Sequence, residues 1–168
     1  MNTRSNDPLR YIANYGAELK AQVQSMIEHK SLSNYLAQKY PEPHNIGNDK
    51  ALRDFVIGLK NEYMRKSAPI SKIVFDNKIH VVNNALGLHS YISRAQGGKL
   101  KSNHEIRIGS VFKKTPKAFL QMIAVHELAH LKEKDHNKAF YRLCQHMLPN
   151  YHQLEFDMRL FLIQQDFL

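Results

Sequence analysis

Thr115-Pro116-Lys117-Ala118-Phe119-Leu120-Gln121-Met122-Ile123-Ala124-Val125-His126-Glu127-Leu128-Ala129-His130 is the stretch whose reading decides the fold of this chain. Thr115 suits the cap of a helix, and Pro116 suits its first helical position, where a missing N–H leaves no bond unmade. From Phe119 to Val125 the apolar side chains circle nearly the whole helix instead of marking one stripe, which predicts a buried central helix. That helix then carries two imidazoles and a carboxylate. Burying them is costly unless something satisfies them, and a metal ion does so.

Residues four apart on a helix lie one turn apart on the same face. His126 and His130 can therefore each offer a ring nitrogen to one ion, at about 2.0–2.1 Å for zinc. Glu127 is about 100° further round the helix, so it misses the ion but reaches a water held there. The ion lowers the pKa of that water. Glu127 is placed to take its proton as general base and later to deliver it to a leaving group. One Zn2+ is the expected cofactor.

Such a centre needs another protein ligand, and His136, Glu133, Asp135 and Glu155 are the candidates. Were the helix to continue, His136 would face away and lie about 15 Å along the axis from His126. The helix must therefore stop soon after Leu131. The turn Lys132-Glu133-Lys134-Asp135 has no glycine to take a left-handed helix end, so Lys134 or Asp135 is expected to absorb the awkward backbone. The spacing allows one helix end and one return before a new helix starts near Asn137. That favours His136, held by a helix packed through Phe140 and Cys144.

Working outward, one helix is expected from about Asn137 to Leu148, before Pro149. A last one starts near Asn150, with Leu154, Met158, Phe161 and Leu162 on one face. Upstream the period changes. Ile73 and Phe75 alternate with polar neighbours, Asp76-Asn77-Lys78 reads as a turn, and Ile79 and Val81 alternate again, which together signal a hairpin. A further strand is expected near Leu88 to Ser93, a loop at Gly97-Gly98, and a last strand carrying Ile106 and Ile108. Before the strands, Leu52, Phe55, Val56, Leu59 and Tyr63 mark an amphipathic helix. Pro41 to Asn48 reads as a linker, and Leu32, Tyr35 and Leu36 mark a short helix. A first helix is capped by Asp7, with Pro8 in its first turn, and runs through Ile12, Tyr15, Leu19, Val23, Met26 and Ile27. Helices, a small sheet and more helices make the class α+β. The sheet is expected to be antiparallel or mixed and to pack on the His-Glu-x-x-His helix. The expected division is an N-terminal helical extension over residues 1–47 and a metal-binding domain over residues 48–168.

With 168 residues, 43% hydrophobic and 23% charged, the chain reads as a globular protein able to bury a core without staples. No stretch is long and apolar enough for a membrane span, and Met1 to Asp7 lacks the apolar core of a secretory signal. The single cysteine, Cys144, excludes an intrachain disulfide and lies on an apolar helix face as a core residue. A cytoplasmic setting is expected. The net charge of +9 favours anionic partners. Seven cations, Arg94, Lys99, Lys101, Arg107, Lys113, Lys114 and Lys117, fall within residues 94–117 against Glu105 alone. This stretch is either a solvated basic surface or a nucleic-acid contact. Only Phe112 interleaves with it, so base stacking has little to work with.

The segment His126-Glu127-Leu128-Ala129-His130-Leu131-Lys132, then His136-Asn137-Lys138-Ala139-Phe140 and Leu148-Pro149-Asn150-Tyr151, resembles the YgjP-like metallopeptidase family, which is similar to the SprT-like and WLM proteases. The resemblance is specific over about Ile106 to Tyr151 and weak upstream, where Leu88-His89-Ser90-Tyr91-Ile92-Ser93 replaces a Trp-Gly-Ser-Cys-like stretch. It implies a zincin-like fold with His126, His130 and His136 as the zinc ligands, and peptide-bond hydrolysis as the activity. It also implies a second possibility, since some relatives carry a nucleotide-pyrophosphatase label, and the SprT-like group acts on DNA-bound proteins.

The leading expectation is a zinc metallopeptidase acting on a peptide or protein. The alternatives are a metal-dependent nucleotide pyrophosphatase and a basic nucleic-acid-binding module with a structural zinc. Glu127 argues against the last, since a structural centre has no use for it. Tyr141, His146, Tyr151 and His152 follow the ligands and are the candidates for stabilising a transition state. Nucleic-acid binding through residues 94–117 predicts an affinity that falls steeply with added salt. Replacing Lys99, Lys101, Lys113 and Lys114 by Gln should flatten that dependence. An unchanged slope in a binding titration assigns the charge to solvation instead.

Overall fold

A computed structural model describes residues 6–79, 95–97 and 102–168. After a 3-10 turn at Pro8–Ile12 come α1 (Ala17–Glu28), α2 (Leu32–Lys39) and α3 (Asp49–Tyr63). Strands β1 (Ile70–Asp76), β2 (Ala95–Gly97) and β3 (Ser102–Gly109) follow. A second 3-10 turn at Ser110–Lys114 leads into α4 (Lys117–Ala129), α5 (Lys138–Met147) and α6 (Tyr151–Phe167). The class is α+β. Among the described residues no helix is long and apolar enough to cross a membrane.

α4 is the centre of the core. Phe119, Leu120, Met122, Ile123, Ala124, Val125, Leu128 and Ala129 are fully buried, on all sides of the helix. α3, β3, α5 and α6 all pack against it. Burying each large apolar side chain contributes about 1.5–3 kcal/mol relative to leaving it exposed. α3 turns Leu52 and Val56 inward, and Asn48 caps it by accepting from the Ala51 N–H at 2.8 Å. The next residue, Asp49, accepts from the Phe75 N–H at 2.9 Å and so fixes the helix start to β1.

The sheet order is β1-β3-β2. β1 and β3 run parallel, with Ile73 opposite Ile106 and Phe75 opposite Ile108, and Ile73, Ile106 and Ile108 are buried. β2 runs antiparallel to β3. Of the two expected geometries, a wholly antiparallel sheet is therefore overturned, and the sheet is mixed. Alternation showed which residues point inward, but it carries no information on the direction of the partner strand. The turn at Asp76-Asn77-Lys78 forms, with the Asp76 carboxylate accepting from the Lys78 N–H at 2.8 Å. The returning arm of the expected hairpin, at Val81, and the expected strand at Leu88 to Ser93 lie outside the described residues. Gly97, read as loop, ends β2, while Gly98 lies outside the described residues.

Two helix starts differ from expectation. The first helix is broken: Asp7 accepts from the Leu9 N–H at 2.9 Å to cap the 3-10 turn, and Gly16 then leaves the helical region with φ −64° and ψ 157° before α1 begins. Asn14 and Gly16 are poor helix formers, and the apolar period passes over them unmarked. α4 begins at Lys117, one residue later than expected. The Thr115 hydroxyl bonds the carbonyls of Phe112 and Pro116 instead of capping. The cap comes from far away: the Glu42 carbonyl accepts from the Lys117 N–H at 2.9 Å.

The segment 41–48 is thus docked rather than loose. His44 donates from Nε2 to the Phe112 carbonyl at 2.9 Å and accepts the Ile46 N–H on Nδ1 at 3.0 Å. The N-terminal helices join the same apolar core through Tyr11, Ile12, Val23, Leu32 and Leu36. Their polar anchor is Asp157 of α6, fully buried. It accepts from the Tyr35 hydroxyl at 3.0 Å, from the Tyr40 hydroxyl, from Gln153 at 3.2 Å and from Lys39 at 2.9 Å. Burial, followed by Asp157, pushes the Tyr40 phenol far above its usual pKa. Asp157→Ala should destabilise the protein by about 3–5 kcal/mol, because it strands buried donors that have lost their acceptor. Equilibrium urea unfolding reads this, and a change within about 0.5 kcal/mol would contradict it.

Candidate metal centre

His126 sits in the last turn of α4, 2% exposed, and His130 follows directly after Ala129. The helix tightens rather than fraying. Leu131 and Lys132 donate to the carbonyls three residues back, Leu128 and Ala129, and Glu133 also bonds Ala129. This 3-10 closure satisfies the end of the helix without a left-handed residue. Lys134 and Asp135 do not take up positive φ as expected; among the described non-glycine residues only Lys30 does, at the end of α1.

The return is stitched by Asn137. Its side chain caps α5 by accepting from the Phe140 N–H at 2.9 Å, and its amide donates to the Glu133 carboxylate at 3.3 Å. His136 is the residue immediately before that cap. Phe140, one turn into α5 and fully buried, packs against all three imidazoles, with ring centroids 4.9 Å from His126, 4.6 Å from His130 and 4.8 Å from His136.

The outcome is a convergence of three Nε2 atoms. His130 Nε2 lies 3.0 Å from His136 Nε2, which lies 3.2 Å from His126 Nε2. Two ligands about 2.0–2.1 Å from a tetrahedral ion stand about 3.3–3.4 Å apart, so this donor set fits a divalent metal ion. Among the described residues no other group of three or more His, Cys, Asp or Glu converges this way. Three imidazoles suit zinc and equally copper, iron or nickel.

The Nδ1 atoms of His126 and His130 point outward. His130 Nδ1 donates to the Glu133 carbonyl at 2.9 Å, which leaves Nε2 as the lone-pair nitrogen. His126 Nδ1 lies 2.6 Å from the Tyr151 hydroxyl. Glu127, 1% exposed, is buried beside His126, and its carboxylate is not part of the converging group. The rival third ligands sit elsewhere. Glu133 bonds Asn137, Asp135 is exposed, and Glu155 pairs with Arg159 at 3.2 Å.

The transition-state candidates also sort themselves. Tyr151 is fully buried and bonded to His126, and His146 stacks edge-on against Tyr63. Burial pushes the Tyr141 phenol up to about 12, with Glu155 next in effect, so it is a protonated hydroxyl at neutral pH. The buried Cys144 thiol is likewise pushed up, by burial first and Glu155 second, in keeping with a core residue. Phe140, expected only to hold the helix behind His136, packs on all three imidazoles, and the Glu133 carbonyl joins the site as well. The carbonyl, a main-chain group, has no sequence signal.

A family model for the YgjP-like metallopeptidase domain matches residues 16–159. The chain belongs to the YgjP-like family. The match reaches far upstream of Ile106, across α1 to α3 and the sheet, so the family likeness is not confined to the metal-binding half. A UTP pyrophosphatase of Escherichia coli (strain K12) is 55% identical over 156 residues, covering 93% of this chain and 93% of that protein. No solved structure matches. Together with the three-histidine cluster, membership of the YgjP-like family makes the chain a metal-dependent hydrolase.

Of the basic stretch expected to meet nucleic acid, Arg94, Lys99 and Lys101 lie outside the described residues. Arg107 is paired with Asp76 at 3.2 Å and Glu105 at 3.3 Å, and Lys113 lies over the Phe75 ring at 5.2 Å.

His126→Ala and His130→Ala should each abolish stoichiometric zinc and lower stability, since bound metal contributes to folding. His136→Ala should weaken zinc by a large factor but less completely, because water can fill the vacancy. Elemental analysis with chelator competition measures all three, and full occupancy in either of the first two variants would sink the site.

Proposed function

We propose that this chain is a zinc-dependent hydrolase that cleaves a nucleoside triphosphate to the monophosphate and pyrophosphate. In this reading His126, His130 and His136 hold one Zn2+, and Glu127 is the general base. The observation that carries it is the join of two facts: the convergence of the three Nε2 atoms, and a UTP pyrophosphatase 55% identical over nearly the whole length of both chains.

Bound there, the ion would act as a Lewis acid that polarises a phosphoryl oxygen and makes water more acidic. The rest falls to the chain's own residues. Three neutral imidazoles leave the charge of a divalent ion intact, which suits a polyanionic substrate, and the net charge of +9 attracts one over longer range. Glu127, next to His126 on the same turn, takes the proton of the attacking water and carries it to the leaving oxygen. Phe140 packs on the imidazoles and keeps water from their flanks. A zincin-like arrangement, with the mixed sheet beside a central His-Glu-x-x-His helix, and a cytoplasmic setting belong to the same reading.

A second reading, peptide-bond hydrolysis at the same centre, is favoured by the family's description as a metallopeptidase domain. The two differ in product. Pyrophosphate release from UTP, lost on chelation and restored by zinc, supports the first. Cleavage of a peptide library with no pyrophosphate release would replace it with the second. In either case Glu127→Gln should keep one equivalent of zinc and lose about 10²–10⁴-fold in rate, because an amide cannot accept the proton. A Glu127→Gln protein with full, chelator-sensitive activity rules the residue out as base.

A further inference from the structure

The side of the centre away from the converging Nε2 atoms carries a second layer of buried polar groups. Tyr151 and Glu155 are four residues apart on α6 and so share a face. The Glu155 carboxylate lies close enough to act on the Tyr151 phenol, and it pairs with the Arg159 guanidinium at 3.2 Å. Arg159 also donates to the Tyr11 carbonyl at 2.9 Å, which anchors it to the N-terminal turn. Tyr151 is fully buried, and the side chains of Glu155 and Arg159 are 14% and 6% exposed.

A hydroxyl oxygen accepts as well as donates, and at 2.6 Å the Tyr151 hydroxyl is placed to accept an Nδ1–H of the His126 imidazole. That assignment leaves the lone pair of His126 on Nε2, the atom that faces His136 at 3.2 Å.

We infer that Tyr151 and Glu155, braced by Arg159, are positioning residues that fix the tautomer and orientation of His126 and thereby set how tightly the centre holds its metal. The inference rests on the three-histidine reading given above. A carboxylate that draws on the hydroxyl makes it a better acceptor, and a better acceptor on Nδ1 makes Nε2 a stronger donor to a cation. The arrangement links the metal through His126, Tyr151, Glu155 and Arg159 to the backbone at Tyr11.

The test is zinc affinity of the full chain by chelator competition, with cobalt spectra as the second readout. Tyr151→Phe removes one oxygen and keeps the ring. It should weaken zinc by about 10–100-fold and shift the visible bands of the cobalt-loaded protein. Glu155→Gln keeps an acceptor but removes the charge, and should weaken zinc by a smaller factor. Asp157→Asn, on the same helix but bonded to Tyr35 and Tyr40, should lower thermal stability and leave both readouts unchanged. Should Tyr151→Phe fail to fold, Glu155→Gln alone decides the matter. Unchanged affinity and cobalt spectrum in the folded variants overturn the inference, as does an Asp157→Asn protein that loses zinc to the same degree as Tyr151→Phe. Zinc retained in full by His130→Ala overturns the three-histidine reading itself and takes this inference with it, which separates the two failures.

Discussion

Everything at the centre depends on where α4 stops. An apolar helix buried on all sides delivers His126 and His130 on one face, but a third nitrogen reaches the same point only if the chain reverses within a few residues. The reversal is made from backbone bonds. 3-10 closure at Leu128 and Ala129 ends the helix, and the Glu133 carbonyl receives His130 Nδ1. The same turn that releases the chain toward His136 thus also orients the ring before it. Asn137 then serves both sides of the turn, capping α5 and holding the Glu133 carboxylate.

The position of α4 is in turn set by elements distant in sequence. Its first N–H is capped by the Glu42 carbonyl, and His44 holds the turn before it through the Phe112 carbonyl. α6 lies against the other side and carries two buried charged residues with different tasks. Asp157 gathers the hydroxyls of Tyr35 and Tyr40, while Arg159 reaches Tyr11 and Glu155. Breaking such a group by removing one member costs more than the group contributes as a whole, because the remainder is left buried and unmatched.

What the sequence made legible was whatever is local. The His-Glu-x-x-His spacing, the apolar girdle of α4, the helix start near Asn137 and the helix ahead of Pro149 are written within one or two turns of themselves. Each was found close to its place. The break at Asn14 to Gly16 was hidden because the apolar residues keep helical period across it. The parallel pairing of β1 with β3 was hidden because alternation is blind to strand direction. The capping of Lys117 by Glu42 and the bond from His126 to Tyr151 join residues with no shared pattern, and only packing brings them together. Tyr151 was noticed but for another task, since a residue type says nothing about which side of an imidazole it will meet.

The separations along the chain carry a consequence for assembly. His130 and His136 are 6 positions apart, and His126 and Tyr151 are 25 apart. The bonds that fasten the N-terminal turn and helices span far more, 122 for Tyr35 to Asp157 and 148 for Tyr11 to Arg159. Bringing two points of a chain together costs conformational entropy that rises with the length between them, and contacts of long span slow folding. The histidine turn therefore closes with less loss of chain freedom than the bonds that fasten the N-terminal turn and helices.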